Sequence, residues 1–159
     1  MKLLRFDKRR CIGCMACVLI CKQLKSHRGN ELIYVEEVKK GEWAPTTCMH
    51  CQQAPCVRVC PSEAILQLQD GVVKAPDESR CLACKNCMLI CPFGVPKIDE
   101  KRKLMMKCDL CPERRVRGLL PYCAAICPTR AIRYEETVEA SIERRVEAVQ
   151  RLIRAATSR

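Results

Sequence analysis

The chain has 159 residues, room for one domain or two small ones, and sets 16 cysteines against one Trp, three Tyr and two Phe. A core so poor in large side chains needs covalent or metal staples. The formal charge of +11 would suit nucleic acid, but no aromatic interleaving or base-reading motif accompanies it, so no nucleic-acid partner is expected.

The N-terminus, Met1 to Arg10, has no apolar segment and no cleavage site before Cys11. The twin arginine Arg9-Arg10 runs straight into a cysteine motif, so it does not read as an export signal. No run approaches the length of a membrane span. The expectation is a cytoplasmic protein, with export on a partner's signal left open. In a reducing compartment dense cysteine means metal rather than a disulfide framework.

Four cysteine groups follow in order, each ending in C-x3-C. Cys11, Cys14, Cys17 and Cys21 form C-x2-C-x2-C-x3-C. The stretch Leu32 to Val38 then reads as a strand. Cys48, Cys51, Cys56 and Cys60 repeat the pattern with the middle gap widened to four residues. Ile65 to Gln69, a turn at Asp70-Gly71 and Val72-Val73 read as a hairpin. Cys81, Cys84, Cys87 and Cys91 restore the first spacing. Cys108, Cys111, Cys123 and Cys127 carry eleven residues in the middle gap. Cys60-Pro61-Ser62-Glu63-Ala64-Ile65 and Cys127-Pro128-Thr129-Arg130-Ala131-Ile132 share C-P-x-x-A-I, a second internal repeat. Beyond Tyr134, Val138, Ile142, Val146, Val149 and Ile153 recur at helical spacing. The amphipathic helix they define packs on its own domain or docks a partner subunit.

Iron in a [4Fe–4S] cube takes one thiolate per metal, and a C-x2-C-x2-C loop can reach three irons. The fourth sulfur comes from a distant part of the sequence. In the bacterial C-x2-C-x2-C-x3-C-P run the fourth cysteine serves the other cluster of a pair. Zinc knuckles would explain Cys48-x2-Cys51 or Cys108-x2-Cys111 alone, but not triplets with C-x3-C-P tails. The stretch from Cys48 to Cys91 reads as one compact two-cluster unit.

Four quartets in this order, the second slightly and the fourth strongly widened, resemble the four-cluster ferredoxin-like electron-transfer subunits of the dimethyl sulfoxide reductase, formate dehydrogenase and aldehyde oxidoreductase type. The resemblance spans Cys11 to Ile132. It implies an α+β fold of two nested bacterial-ferredoxin-like units with pseudo-twofold symmetry, followed by a C-terminal helix. The outer unit would comprise residues 1–47 with 100–136, the inner unit 48–99, and the helix 137–159. Carried over, the resemblance gives one cluster Cys11, Cys14, Cys17 and Cys127, and a neighbour Cys108, Cys111, Cys123 and Cys21. The inner unit would hold one cluster on Cys48, Cys51, Cys56 and Cys91 and another on Cys81, Cys84, Cys87 and Cys60. The hairpin between Cys60 and Cys81 supports the inner pairing from the residues themselves. Lys22 follows Cys21 where Pro is usual, which alters the exit turn but not the ligand chemistry.

Other residues are assigned plainer roles. His50 is read as a loop residue, His27 as solvated, and Trp43 as a cluster cover or a subunit contact. The basic clusters at Lys8 to Arg10, Lys101 to Lys103 and Arg114 to Arg117 read as solvated faces, with docking of an acidic partner the alternative. Ile12, Met15, Val57, Leu82, Met88 and Phe93 are expected to shield clusters from water. With every cysteine committed and no nucleophile–base pair or phosphate loop, no catalytic residues are expected. The chain reads as a non-catalytic electron-transfer subunit in a hetero-oligomer, with no membrane span of its own. Its expected partner is a molybdenum or tungsten pterin enzyme oxidising formate or an aldehyde. A nickel enzyme, hydrogenase or carbon monoxide dehydrogenase, is the alternative partner.

Overall fold

The computed structural model describes residues 2–24 and 30–137, with residues 142, 145, 146, 148–150, 153 and 154 beyond them. Strand β1 (Lys2–Phe6) pairs antiparallel with β6 (Ile132–Glu136), Lys2 opposite Glu136 and Phe6 opposite Ile132. Opposite charge reinforces the ladder, Arg5 donating to Glu135 at 3.1 Å. Helix α1 (Ala16–Leu24) carries Cys17 and Cys21 one turn apart, hence on one face. That helix packs against α5 (Tyr122–Ile126). Cys17, Cys123, Ile33 and Ile132 are buried together there, with Leu4, Phe6 and Val35 around them.

The strand expected at Leu32 to Val38 is observed as β2 (Ile33–Lys39), which turns through Gly41 into β3 (Glu42–Thr47). Gly41 has φ +78°, a conformation glycine adopts without penalty, and its N–H is held by Glu37 Oε1 at 2.8 Å.

A second core gathers Ala54, Cys56, Ile65, Val73, Cys87 and Met105. Two short helices meet at it, α2 (Pro55–Arg58) and α3 (Asn86–Ile90). The hairpin expected after Ile65 narrows to a single bridge between Gln67 and Val73. Leu68 N–H reaches the Val72 carbonyl and Lys74 N–H reaches the Leu66 carbonyl, each at 2.8 Å. Val73 directs its own peptide groups away from Gln67 and into the interior, its N–H to His50 and its carbonyl to Lys107.

Strands β4 (Lys97–Asp99) and β5 (Leu104–Met106) form a further antiparallel pair, and α4 (Pro112–Arg115) leaves directly from Cys111. The β2 and β4 regions are tied by polar contacts. Lys97 meets Glu31 at 2.7 Å, and the Tyr34 hydroxyl donates to the Val95 carbonyl at 3.3 Å.

Short helices and two-stranded ribbons give the mixed content expected. The C-terminal helix falls largely outside the described residues, as does His27. Of its apolar stripe, Ile142, Val146, Val149 and Ile153 are described, helical and exposed. No helix among the described residues is long and apolar enough to cross a membrane.

Candidate metal centres

One backbone device recurs in all four cysteine groups. The residue just before the second cysteine is left-handed every time: Gly13 (φ +67°), His50 (+46°), Ala83 (+50°) and Leu110 (+61°). Only one of these is glycine, and a side chain in that region costs on the order of 1 kcal/mol or more. The left-handed residue curls each C-x2-C step, and in three of the groups both of its thiols line one cavity. Glu63 (+49°) and Arg130 (+54°), each three residues past the last cysteine of a C-P-x-x-A-I copy, form a matching pair.

The thiols gather in quartets drawn from different groups. Cys11, Cys14 and Cys17 line a cavity with Cys127, beside Ile12, Met15 and Val35. Cys108, Cys111 and Cys123 line another with Cys21, beside Leu32, Ile33 and Thr47. A third is lined by Cys81, Cys84 and Cys87 with Cys60, beside Ile65, Leu82 and Met105. Around Cys56 and Cys51, the thiols of Cys48 and Cys91 are both close enough to oppose ionisation. None of the sixteen cysteines is in a disulfide, and among the described residues no group of thiols gathers as tightly as a single metal ion would need.

Burial governs the acidity of the most enclosed thiols. It raises Cys17 and Cys87 to about 11 and Cys108 to about 12, and it drives Cys123 well above the ordinary thiol value. Neighbouring thiols push Cys17, Cys87 and Cys123 in the same direction, so four thiolates in such a cavity need a cationic centre among them. Cys60 and Cys127 behave differently. Burial pulls both upward, but hydroxyl and backbone N–H donors from the following turn outweigh it and leave both lowered. Ser62 Oγ lies 3.7 Å from the Cys60 sulfur and Thr129 Oγ1 lies 3.8 Å from that of Cys127. Ala64 N–H also donates to Cys60 at 3.3 Å, and Leu32 N–H to Cys21 at 3.4 Å.

An all-sulfur donor set around apolar cavities fits an iron–sulfur cube, which takes one thiolate per iron and draws on N–H donors to sulfur. Cys56 and Cys87 share one core and Cys17 and Cys123 the other, so the quartets stand in two adjoining pairs. The expected shielding residues divide. Met15, Val57 and Met88 are half-buried, whereas Ile12, Leu82 and Phe93 are exposed on this chain.

His50 sits in a loop, as read from the sequence, and is buried there. Its Nδ1 accepts the Val73 N–H at 3.1 Å, while Nε2 is buried without a partner. Trp43 covers the first loop: a Cβ on Gly13 would lie 2.5 Å from its ring. Sequence reasoning missed Lys107, which is 1 % exposed. A lone cation in Leu104-Met105-Met106-Lys107-Cys108, at the edge of an apolar run and beside a ligand motif, was the available signal.

Residues 39–137 match the family described as 4Fe-4S dicluster domain, and residues 10–64 match a second family of the same description. Two dicluster domains imply four [4Fe–4S] clusters, for which sixteen cysteines suffice. The chain is 34% identical to the thiosulfate reductase electron transfer subunit of Salmonella typhi, over 87% of this chain and 77% of that one. It is 34% identical to a subunit of the anaerobic dimethyl sulfoxide reductase of Escherichia coli K12, over 79% and 69% respectively. The formate dehydrogenase-O iron-sulfur subunit of the same organism is also 34% identical, with 80% of this chain matching 51% of its length.

Proposed function

Because the protein belongs to the 4Fe-4S dicluster family, and its relatives include a thiosulfate reductase electron transfer subunit and a formate dehydrogenase iron-sulfur subunit, we propose that it is a four-cluster relay in a larger oxidoreductase. The clusters would be held by Cys11, Cys14, Cys17 and Cys127; by Cys108, Cys111, Cys123 and Cys21; by Cys48, Cys51, Cys56 and Cys91; and by Cys81, Cys84, Cys87 and Cys60. Bound there, they supply one-electron transfer. The protein's part is to fix the thiolates, exclude water and set each potential.

The observation that carries this reading is the crossing of the thiols. In three cavities the fourth cysteine comes from a remote group. Crossed ligands favour one ferredoxin-like unit (48–99) nested in another (1–47 with 100–136), related by a pseudo-twofold axis. The equivalence of Cys60 with Cys127, down to the hydroxyl beside each sulfur, supports that symmetry.

Exposed Cys14 and Cys84, one in each pair, give the relay two points of exchange. Leu82, Leu89, Ile90 and Phe93 are exposed around the second, a surface suited to a protein partner. That partner is proposed as a molybdenum or tungsten pterin enzyme. The reductases of sulfur compounds among the relatives widen its substrate class beyond formate and aldehydes. The cytoplasm is the proposed compartment.

Iron and acid-labile sulfide are expected at about sixteen each per chain, one iron per thiolate. A Cys60→Ser variant should perturb the cluster of Cys81, Cys84 and Cys87 in its electron paramagnetic resonance signature and leave that of Cys48 and Cys51 unchanged. The reverse outcome would overturn the crossed assignment. Purifying the native complex and assaying molybdenum, tungsten and nickel tests the partner, and nickel alone would favour the hydrogenase class.

A further inference from the structure

Lys107 lies where the two pairs of quartets meet. Its Nζ donates to the Cys108 carbonyl at 2.9 Å and to the carbonyl of Val73. Val73 belongs to the core of Cys56 and Cys87, and its N–H is bound by His50 from the Cys48–Cys51 loop. The ammonium thus bridges a ligand loop of one pair and the buried core of the other. Among the described residues no carboxylate forms a salt bridge with it.

A buried ammonium with two carbonyl acceptors and no anion is costly unless negative charge lies nearby. Lys107 Nζ sits on the Cys108 carbonyl on one side and, on the other, on the carbonyl of Val73, which shares its core with Cys56. Thiolates gathered around iron supply the missing anions. Each cluster reduction adds one negative charge, which a fixed cation close by favours.

We propose that Lys107 is the counter-cation shared by the two middle clusters of the relay, those on Cys48, Cys51, Cys56 and Cys91 and on Cys108, Cys111, Cys123 and Cys21. It raises both potentials and thereby joins the two halves of the electron path. This rests on the four-cluster reading above. Lys107 acts through charge on the clusters and is a positioning residue, not a ligand.

The test is a redox titration of the loaded full chain, followed by electron paramagnetic resonance, for wild type, Lys107→Met, Lys107→Gln and Lys107→Arg. The neutral variants should lower two of the four midpoints by at least tenfold in the reduction equilibrium, about 59 mV for one electron. The other two midpoints and the iron content should stay as in wild type, and Lys107→Arg should restore the shifted pair. Cys56→Ser and Cys111→Ser identify which signals belong to the middle clusters. Unmoved potentials, or all four moving together, would overturn the proposal. If both neutral variants lose iron that Lys107→Arg retains, the role is structural and the proposal also falls. A wild-type chain with far fewer than about sixteen irons sinks the four-cluster reading itself, whereas four clusters with unmoved potentials sink only this inference.

Discussion

Val73 donates its backbone N–H to His50 Nδ1 at 3.1 Å, which fixes the neutral ring with its proton on Nε2. Burial, reinforced by the Lys107 charge, lowers the His50 pKa to about 3. The unfolded chain therefore takes up a proton between pH 6.5 and 3 that the folded chain refuses. Stability present above pH 6.5 is lost as pH falls through that window. His50→Leu should flatten this acid dependence while costing about 1–3 kcal/mol at neutral pH, because the Val73 N–H is left unpaired. Denaturant unfolding from about pH 7 down to about pH 4 measures both effects.

Gly13 and Trp43 make a second test. An added Cβ at Gly13 would lie 2.5–2.7 Å from three ring atoms, and the φ of +67° already disfavours a side chain. Gly13→Ala should destabilise the first cysteine loop and speed bleaching of visible absorbance on heating. Adding Trp43→Ala removes the clash but not the backbone strain, so the double variant should recover only part of the loss. Full additivity in that double-mutant cycle would show that the two residues do not interact.

The Glu31–Lys97 pair should show the opposite chemistry to His50 with the same sign in pH. The Lys97 hydrogen bond lowers the Glu31 pKa against the opposing effect of burial. Its contribution is present above the unfolded value of 4.5 and lost as pH falls through the lowered folded value. Both side chains are about a quarter exposed, so Glu31→Gln should cost no more than about 1 kcal/mol at neutral pH. The difference between variant and wild type should vanish in strong acid and shrink in high salt.

Ser62→Ala and Thr129→Ala test the equivalence of the two C-P-x-x-A-I turns. Each removes a hydroxyl beside one sulfur and leaves the backbone donors in place. Donors to sulfur raise cluster potentials. Each substitution should therefore lower one midpoint, a different one in each variant, by a similar small amount in a redox titration. Opposite signs would mean the turns are not equivalent.

What the sequence made legible was the part written in spacing. The four groups, the strand at Ile33 and the turn at Asp70-Gly71 depend on local chemistry, and the structure has them near their expected places. Features the sequence leaves unread depend on contacts between distant segments. His50 reads as a polar loop residue until Val73, 23 positions away, closes over it. Lys107 reads as one more charge in a basic protein, and only burial singles it out. Ile12 and Leu82 read as cluster shields because apolar character is visible in sequence, whereas which surface covers them is not.

The pairing of β1 with β6 has a consequence for how the protein is made. Lys2 must wait for Glu136 before the first strand has a partner, while Ala54 to Met105 can gather their core from an uninterrupted stretch of sequence. Closing the wider loop costs more conformational entropy and comes last during synthesis. A ribosome-bound polypeptide stopped short of Ile132 would present a finished interior beside unsheltered thiols at Cys11, Cys14 and Cys17. The cavity those three thiols line with Cys127 therefore closes only once Ile132 is in place.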